Sequence, residues 1–344
     1  MSHSISTTPS TDKDIAYNLR DTMPKFTDFT VGAEIETFMP QALINSSGVT
    51  VGGYHRGIDA PDSFPKYNGE IITSNKWNLQ HDGSIYTRAA NKKGVEVVSP
   101  PMKGDQGLKS IHDMMKFLSD NGCSVNRSTG LHIHIGLQSV TKKAKADDVV
   151  AFLAQLNKYV FNMQFGLYAQ TGTNRDAGRW CAPISRNDQS ISRLITADNK
   201  PKGQKTLEDF ANVTGNATRY KGINITNLRR GLDAPTSTIE FRFPAGTLNF
   251  DKVMIHIISI GFLIRLAWKN RHVKRDSMTW ELNKPYHRDP INKGVKTFKA
   301  LESKIRKSKA GRLIFVDSAM CKAFADQAFA KGNEMAVKYD NRNR

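Results

Sequence analysis

The sequence predicts an α+β protein, with a β-sheet that is polar on one face and apolar on the other, backed by helices. Three observations carry that expectation. The run Gly130-Leu131-His132-Ile133-His134-Ile135-Gly136 alternates imidazoles with large aliphatics. In an extended chain successive side chains point to opposite sides, so His132 and His134 share one face and Leu131, Ile133 and Ile135 the other. Two further stretches repeat the design with charge: Glu34-Ile35-Glu36 within Val31 to Phe38, and Glu240-Phe241-Arg242 within Thr238 to Phe243. Apolar residues at helical spacing in Lys145 to Tyr168, and the apolar run Phe250 to Trp268, supply helices to cover the apolar face.

In chain order, residues 1 to 25 are polar and read as a mobile tail, with a short helix at Asp14 to Asp21. The first strand runs from Phe29 to Phe38 and is ended by Pro40. Gln41 to Gln80 is loop-rich, with Gly52-Gly53, Pro61, Pro65 and Asn68-Gly69 as turn signals around short strands. His81 to Ile85 is a turn into a strand, and Gly94 to Ser99 is another strand, stopped by Pro100-Pro101. Leu108, Ile111, Met114, Met115 and Leu118 give a helix over Gly107 to Asn121, with Gly122 as its terminator. Gly172 to Asn216 is irregular, polar and arginine-bearing, and Tyr220 to Thr226 alternates as a strand before the Glu240 strand. Helices are expected at Val295 to Lys307 and Ser318 to Phe329.

Composition sets the outer bounds. The chain has 344 residues, 39% of them hydrophobic, enough for a sizeable core. No apolar run approaches the roughly 18 residues of a membrane span, and the N-terminus lacks the apolar centre of a signal peptide, so a cytoplasmic location without membrane association is expected. Cys123, Cys181 and Cys321 are odd in number and far apart, which fits buried small side chains and not a disulfide framework or thiolate zinc site. The net charge is +18, and residues 265–344 hold 20 Lys and Arg against 8 Asp and Glu, a net of +12. A basic region of that size fits nucleic acid, an acidic macromolecule, or simply a solvated helical face.

Glu34, Glu36, Glu96 and Glu240 all sit in strand-like contexts, and carboxylates two apart on a strand can converge on a hard divalent cation such as Mg2+ or Mn2+. A His can join such a site. Arg242, with an arginine from the Gly172 to Asn216 segment, supplies positive donors for oxygens that gain charge during phosphoryl transfer. The phosphate loop Gly-x-x-x-x-Gly-Lys-Ser/Thr, Gly-x-Gly-x-x-Gly before a helix, His-Glu-x-x-His and Gly-x-Ser-x-Gly are all missing.

In order along the chain, VGAEIE (31–36), DGSI (82–85), GVEVVSP (94–100), GLHIH (130–134), Arg219-Tyr220, Asn224, TIEFR (238–242) and GTL (246–248) together resemble the amidoligase family. That family belongs to the carboxylate-amine ligase superfamily, with glutamine synthetase and glutamate-cysteine ligase. The resemblance spans about residues 29 to 265. It implies a glutamine synthetase-like catalytic domain over 26–268, built on a curved antiparallel sheet, followed by a basic helical region over 269–344. It also implies ATP-dependent amide-bond formation through an acyl phosphate, on an amino acid, peptide, polyamine or protein substrate. Glu34, Glu36, Glu96, His132 and Glu240 are then expected as metal ligands and His134 near the nucleotide phosphates. Arg242 is expected on phosphate or acyl phosphate, as is Arg179, in competition with Arg175; Asp82 would bind or deprotonate the amine. Two other readings stand beside the ligase. One keeps the fold as a guanidino-type kinase; the other makes it a retired, phage-like scaffold binding nucleic acid or a virion through its basic region.

Overall fold

The alternation of apolar and polar residues produces the strands it predicts. In this computed structural model, which describes residues 25–49, 51–54, 56–138, 146–177, 179–184, 220–230, 234, 237–271 and 293–342, the fold is α+β, with an open, mainly antiparallel sheet backed by helices. The strands are β1 (Thr30–Pro40), β2 (Gly52–Tyr54), β3 (Ile58–Asp59), β4 (Asn78–His81), β5 (Lys92–Val98), β6 (Met102–Lys103), β7 (Leu131–Gly136), β8 (Ile223–Asn224) and β9 (Thr238–Phe241). Their order is β2-β4-β5-β1-β7-β9-β8, with β3 pairing β4 and β6 pairing β1; only β2 and β4 run parallel. The helices are α1 (Gln41–Ser46), α2 (Gly104–Asp120), α3 (Ala146–Ala169), α4 (Phe250–Lys269), α5 (Lys293–Lys307), α6 (Lys309–Asp317) and α7 (Ala319–Arg342). None of the described helices is long and apolar enough to cross a membrane.

The central strands bury one row of side chains completely. Ile35, Val95, Val97, Leu131, Ile133, Ile239 and Phe241 have no exposed surface, and each contributes about 2 kcal/mol by leaving water. The helices complete this core. From Val253 to Trp268 every residue of α4 is buried, as an all-round apolar helix must be, and it packs against α3, α5, α6 and α7. Gly166 of α3 permits one close approach: a Cβ there would lie 3.2 Å from the backbone of Thr297 in α5.

Several boundaries differ from expectation, each for a local reason. Pro40 is included in β1 as its last residue, a position where a missing N–H costs the ladder little. The helix α2 starts three residues early, at Gly104, but ends as expected: Gly122 takes φ +73°, and Gly122 and Cys123 donate to the Ser119 and Leu118 carbonyls. Tyr220 to Thr226 yields only the two-residue β8, because Thr226 opens a 3-10 turn in which Asn224 Oδ1 accepts from its N–H. Helix α6 was not foreseen, and α7 runs on to Arg342 because Gly332, Met335, Ala336 and Tyr339 continue its buried stripe. Helices α5 and α7 pack on α3 and α4, so the C-terminal helices belong to the layer behind the sheet. The three cysteines are buried thiols. The tail helix at 14–21 and most of 172–216 fall outside the described residues.

A buried ion pair joins the layers: Arg265 of α4 pairs with Asp317 at the end of α6, and Asp317 also accepts from the Phe26 N–H at 3.2 Å. Removing one partner leaves the other desolvated and unpaired. Asp317→Ala is therefore expected to lower stability by about 3 kcal/mol in chemical denaturation, and Arg265→Met with Asp317→Leu to lose clearly less. An additive double variant would show that the pair is not coupled.

Candidate active site

Strand register assembles the polar face. On β1, Glu34 lies opposite His132 and Glu36 opposite Glu96, which in turn faces Gln80 on β4. On the other side, His134 of β7 lies opposite Glu240 of β9, and Glu240 opposite Asn224 of β8. Since residues two apart share a face, all of these project away from the core row. The Glu-x-Glu, His-x-His and Glu-x-Arg pairs thus become one surface.

Glu34 is the centre of that surface. One carboxylate oxygen lies 2.8 Å from His132 Nδ1 and the other 3.0 Å from His134 Nε2. His132 Nδ1 is also 3.4 Å from Glu240, and its Nε2 is 3.6 Å from Glu36. The outer carboxylates are held by neutral donors: Glu36 accepts from the Gly130 N–H at 2.5 Å, Glu96 from Gln80 Nε2 at 2.5 Å, and Glu240 from Asn224 Nδ2 at 2.6 Å. Arg242 pairs with Glu240 through Nη1 and donates from Nε to the Trp180 carbonyl at 3.3 Å. Arg175 donates to the backbone carbonyls of Arg242 (3.1 Å) and Thr129 (3.3 Å). The missing side chain of Gly130 makes room for that guanidinium, which a Cβ there would strike.

Burial sharpens the electrostatics. It would raise the Glu34 carboxyl, but the charge of His134 and the hydrogen bonds of both histidines outweigh it and hold Glu34 well below the ordinary carboxylate range. Burial opposes charge on His134, yet Glu34 and Glu240 raise it. Among the described residues Glu96 makes no ion pair. Burial and the charge of Glu34 push its carboxyl up to about 9, against the pull of Gln80. Burial also raises the Cys181 thiol, 3.0 Å from the Arg242 carbonyl, so this cysteine is a poor nucleophile.

The face opens into a cavity of about 970 Å³, with Glu34, Glu36, Glu96, His132 and Arg242 among its lining residues. Asp82, Ser84, Arg127, Arg175, Trp180 and Arg342 form other parts of its wall. Past Glu34 and His134 a second pocket of about 200 Å³ continues along the strands to Ser99, Asn227 and Thr238. Three groups have ligand atoms within 4.8 Å of one another: Glu34, Glu96 and His132; Glu34, His134 and Glu240; Glu36, Asp82 and Glu96. The donors suit a hard divalent cation, and His132 Nε2 is buried among them without a hydrogen-bond partner.

Glu34, Glu36, Asp82, Glu96, His132, His134, Glu240 and Arg242 are thus brought together. Asp82, expected at the amine, stands within reach of Glu36 and Glu96, its Oδ1 accepting from the Ser84 N–H at 2.6 Å in the turn after β4. Arg175 reaches the cavity wall, whereas the side chain of Arg179 is outside what the structure describes. Sequence reasoning missed Gln80, Thr238, which is 3.0 Å from His134 Nδ1, and Arg342. Gln80 alternates with the buried Leu79, and Thr238 shares the parity of Glu240, so both were readable in principle. Arg342 had no such signal.

A family model described as "Putative amidoligase enzyme" matches residues 27–260, about two thirds of the chain. The chain belongs to this family. No curated protein matches it. The amidoligase match contains every strand of the sheet and all the carboxylates and histidines above; it stops within α4, so α5 to α7 lie beyond it. Membership supports a ligase.

The proton on Glu96 makes a stability prediction. Its folded value of about 9 lies above its ordinary 4.5, so its contribution is fully present below 4.5 and is lost as pH rises towards 9. In EDTA, Glu96→Gln is expected to raise the melting temperature relative to wild type, by a margin that grows from about pH 5 to about pH 8. A margin independent of pH would show that Glu96 is ionised throughout.

Proposed function

We propose that the protein is an ATP-dependent carboxylate-amine ligase that works through an acyl phosphate on a glutamine synthetase-like sheet. The observation that carries this reading is the convergence of Glu36, Glu96, Glu240, His132 and His134 around Glu34, next to Arg242, with Glu34, Glu36, Glu96, His132 and Arg242 lining a cavity large enough for a nucleotide and a second substrate. Such a crowd of carboxylates with only two imidazoles and one guanidinium calls for divalent cations, Mg2+ or Mn2+, and Glu34, Glu36, Glu96, His132 and Glu240 are the residues to hold them. Bound there, the cations would neutralise ATP phosphate oxygens.

The remaining roles follow from position. His134 would contact the nucleotide phosphates, a role supported by its position beyond Glu34 on the second pocket. Arg242, already held by Glu240 and the Trp180 carbonyl, aims its remaining donors at the transferring phosphoryl and then at the acyl phosphate. The substrate carboxylate attacks the γ-phosphorus, ADP leaves, and the amine displaces phosphate from the acyl phosphate. No protein nucleophile is needed. Asp82 would take the proton the amine loses; its position on the wall near Glu96 supports that role. Arg175 braces the Arg242 backbone.

Calorimetric titration of ATP is expected to show binding with Mg2+ and none in EDTA. Glu34→Ala and Glu240→Ala should abolish it while circular dichroism stays native. Arg242→Lys should keep ATP binding but lower turnover by about 100-fold or more, because the planar fork is lost. No Mg2+-dependent binding in the wild type would reject the ligase and favour the retired scaffold.

A further inference from the structure

The cavity wall receives one residue from outside the amidoligase match: Arg342, at the end of the described part of α7. It is exposed, as is Arg127 in the turn before β7, and neither makes a hydrogen bond or ion pair among the described residues. Arg342 is not isolated. Lys331, Lys338 and Arg342 are seven and eleven residues apart, which places them within about 40° of one another round the helix and spreads them over roughly 16 Å. Lys252, at the N-terminal end of α4 where α7 packs, adds a fourth cation to this strip; burial and the charges of Lys331 and Lys338 lower its pKa. The acids nearby leave most of the charge uncompensated. Glu334 bridges Lys331 (2.7 Å) and Lys338 (2.6 Å), and Asp340 is turned inward to accept from the Gly294 and Val295 N–H groups at the start of α5.

We propose that the strip Lys331–Lys338–Arg342, continued by Lys252, is a docking track for an acidic polypeptide segment, which leads a carboxylate of that segment past Arg342 and Arg127 into the cavity. This rests on the ligase reading for its purpose and names the substrate class: an acidic peptide or protein chain in place of a free amino acid. The dimensions agree, since about five extended residues span roughly 16 Å. So does the charge, because cations at that spacing meet carboxylates along a chain but gain nothing from a single small acid beyond Arg342. A solvated helical face is the plain alternative. It does not account for a strip that ends in the cavity wall, nor for the like charges gathered round half-buried Lys252.

The test is fluorescence anisotropy of dye-labelled hexaglutamate on the full-length protein without nucleotide, with free glutamate and hexathymidylate as competitors. The expected result is hexaglutamate binding at least about tenfold tighter than glutamate and weakened by salt. Lys338→Gln with Arg342→Gln should weaken it about fivefold or more. Lys299→Gln with Lys322→Gln, which removes equal charge from α5 and from the far side of α7, should leave it unchanged. Equal affinity for hexaglutamate and glutamate, equal loss in both double variants, or displacement by hexathymidylate at equal or lower concentration would overturn the proposal, the last by assigning the strip to nucleic acid. Failure of Mg2+ and ATP to bind the wild type would sink the ligase instead, a result read independently of the peptide titration.

Discussion

Glu34 held between His132 and His134 is the contact on which the site depends, and it exists only because β1 and β7 pair in one register. A slip of β1 by one residue would turn Glu34 into the helical layer and bring Ile35 to the surface, and a slip of β7 would do the same to both histidines and Ile133. The fully buried row of Ile35, Val97, Ile133 and Phe241 makes that slip prohibitively unfavourable. The apolar core is thus what aligns the polar face. The helices behind the sheet supply none of the carboxylates or histidines, yet they set the geometry of that face and send Arg342 to the cavity wall.

The same burial gives the site its charge imbalance. Glu34 is held towards the ionised form by its histidines, while Glu96, buried and close to Glu34, is driven towards the neutral acid against the pull of Gln80. Gln80, Asn224 and the Gly130 N–H orient three carboxylates without neutralising them. Glu36 and Glu96, held by neutral donors, leave the surface rich in negative charge and preorganised for added positive charge, while Arg242 offsets part of it at Glu240. The cavity wall has a different character: Arg127, Arg175 and Arg342 come from a turn, a short 3-10 helix and α7. The floor belongs to the amidoligase core, whereas Arg342 comes from an element outside the family match.

Much of this was legible from residue order. Period-two alternation identified the strands of Glu34, His132 and Glu240 and stated which side chains share a face; helical spacing identified α2, α3 and α4 within a few residues. Short elements were harder to read. Alternation from Tyr220 to Thr226 promised a full strand, but the side chain of Asn224 captured the Thr226 N–H and ended β8 after two residues. Helix α6 is defined by Ser308 Oγ accepting from the Gly311 N–H, a cap no stronger by letter than many others in the chain.

Sequence order settled which faces are polar, which residues carry charge and, with the family's motifs, which chemistry to look for, because alternation in a strand is a local property of the backbone. The neighbours of Glu34 were decided only by tertiary structure: His132 and His134 lie some hundred residues away, Glu240 about two hundred, and nothing local encodes a cross-strand register between them. The separation of Glu96 from Glu34 in protonation, the choice of Arg175 as the brace for Arg242, and the arrival of Arg342 at the cavity all depend on distances between remote segments. Those distances arise from packing α3, α4 and α7 against the sheet's apolar row, a result of the whole core and of no single stretch.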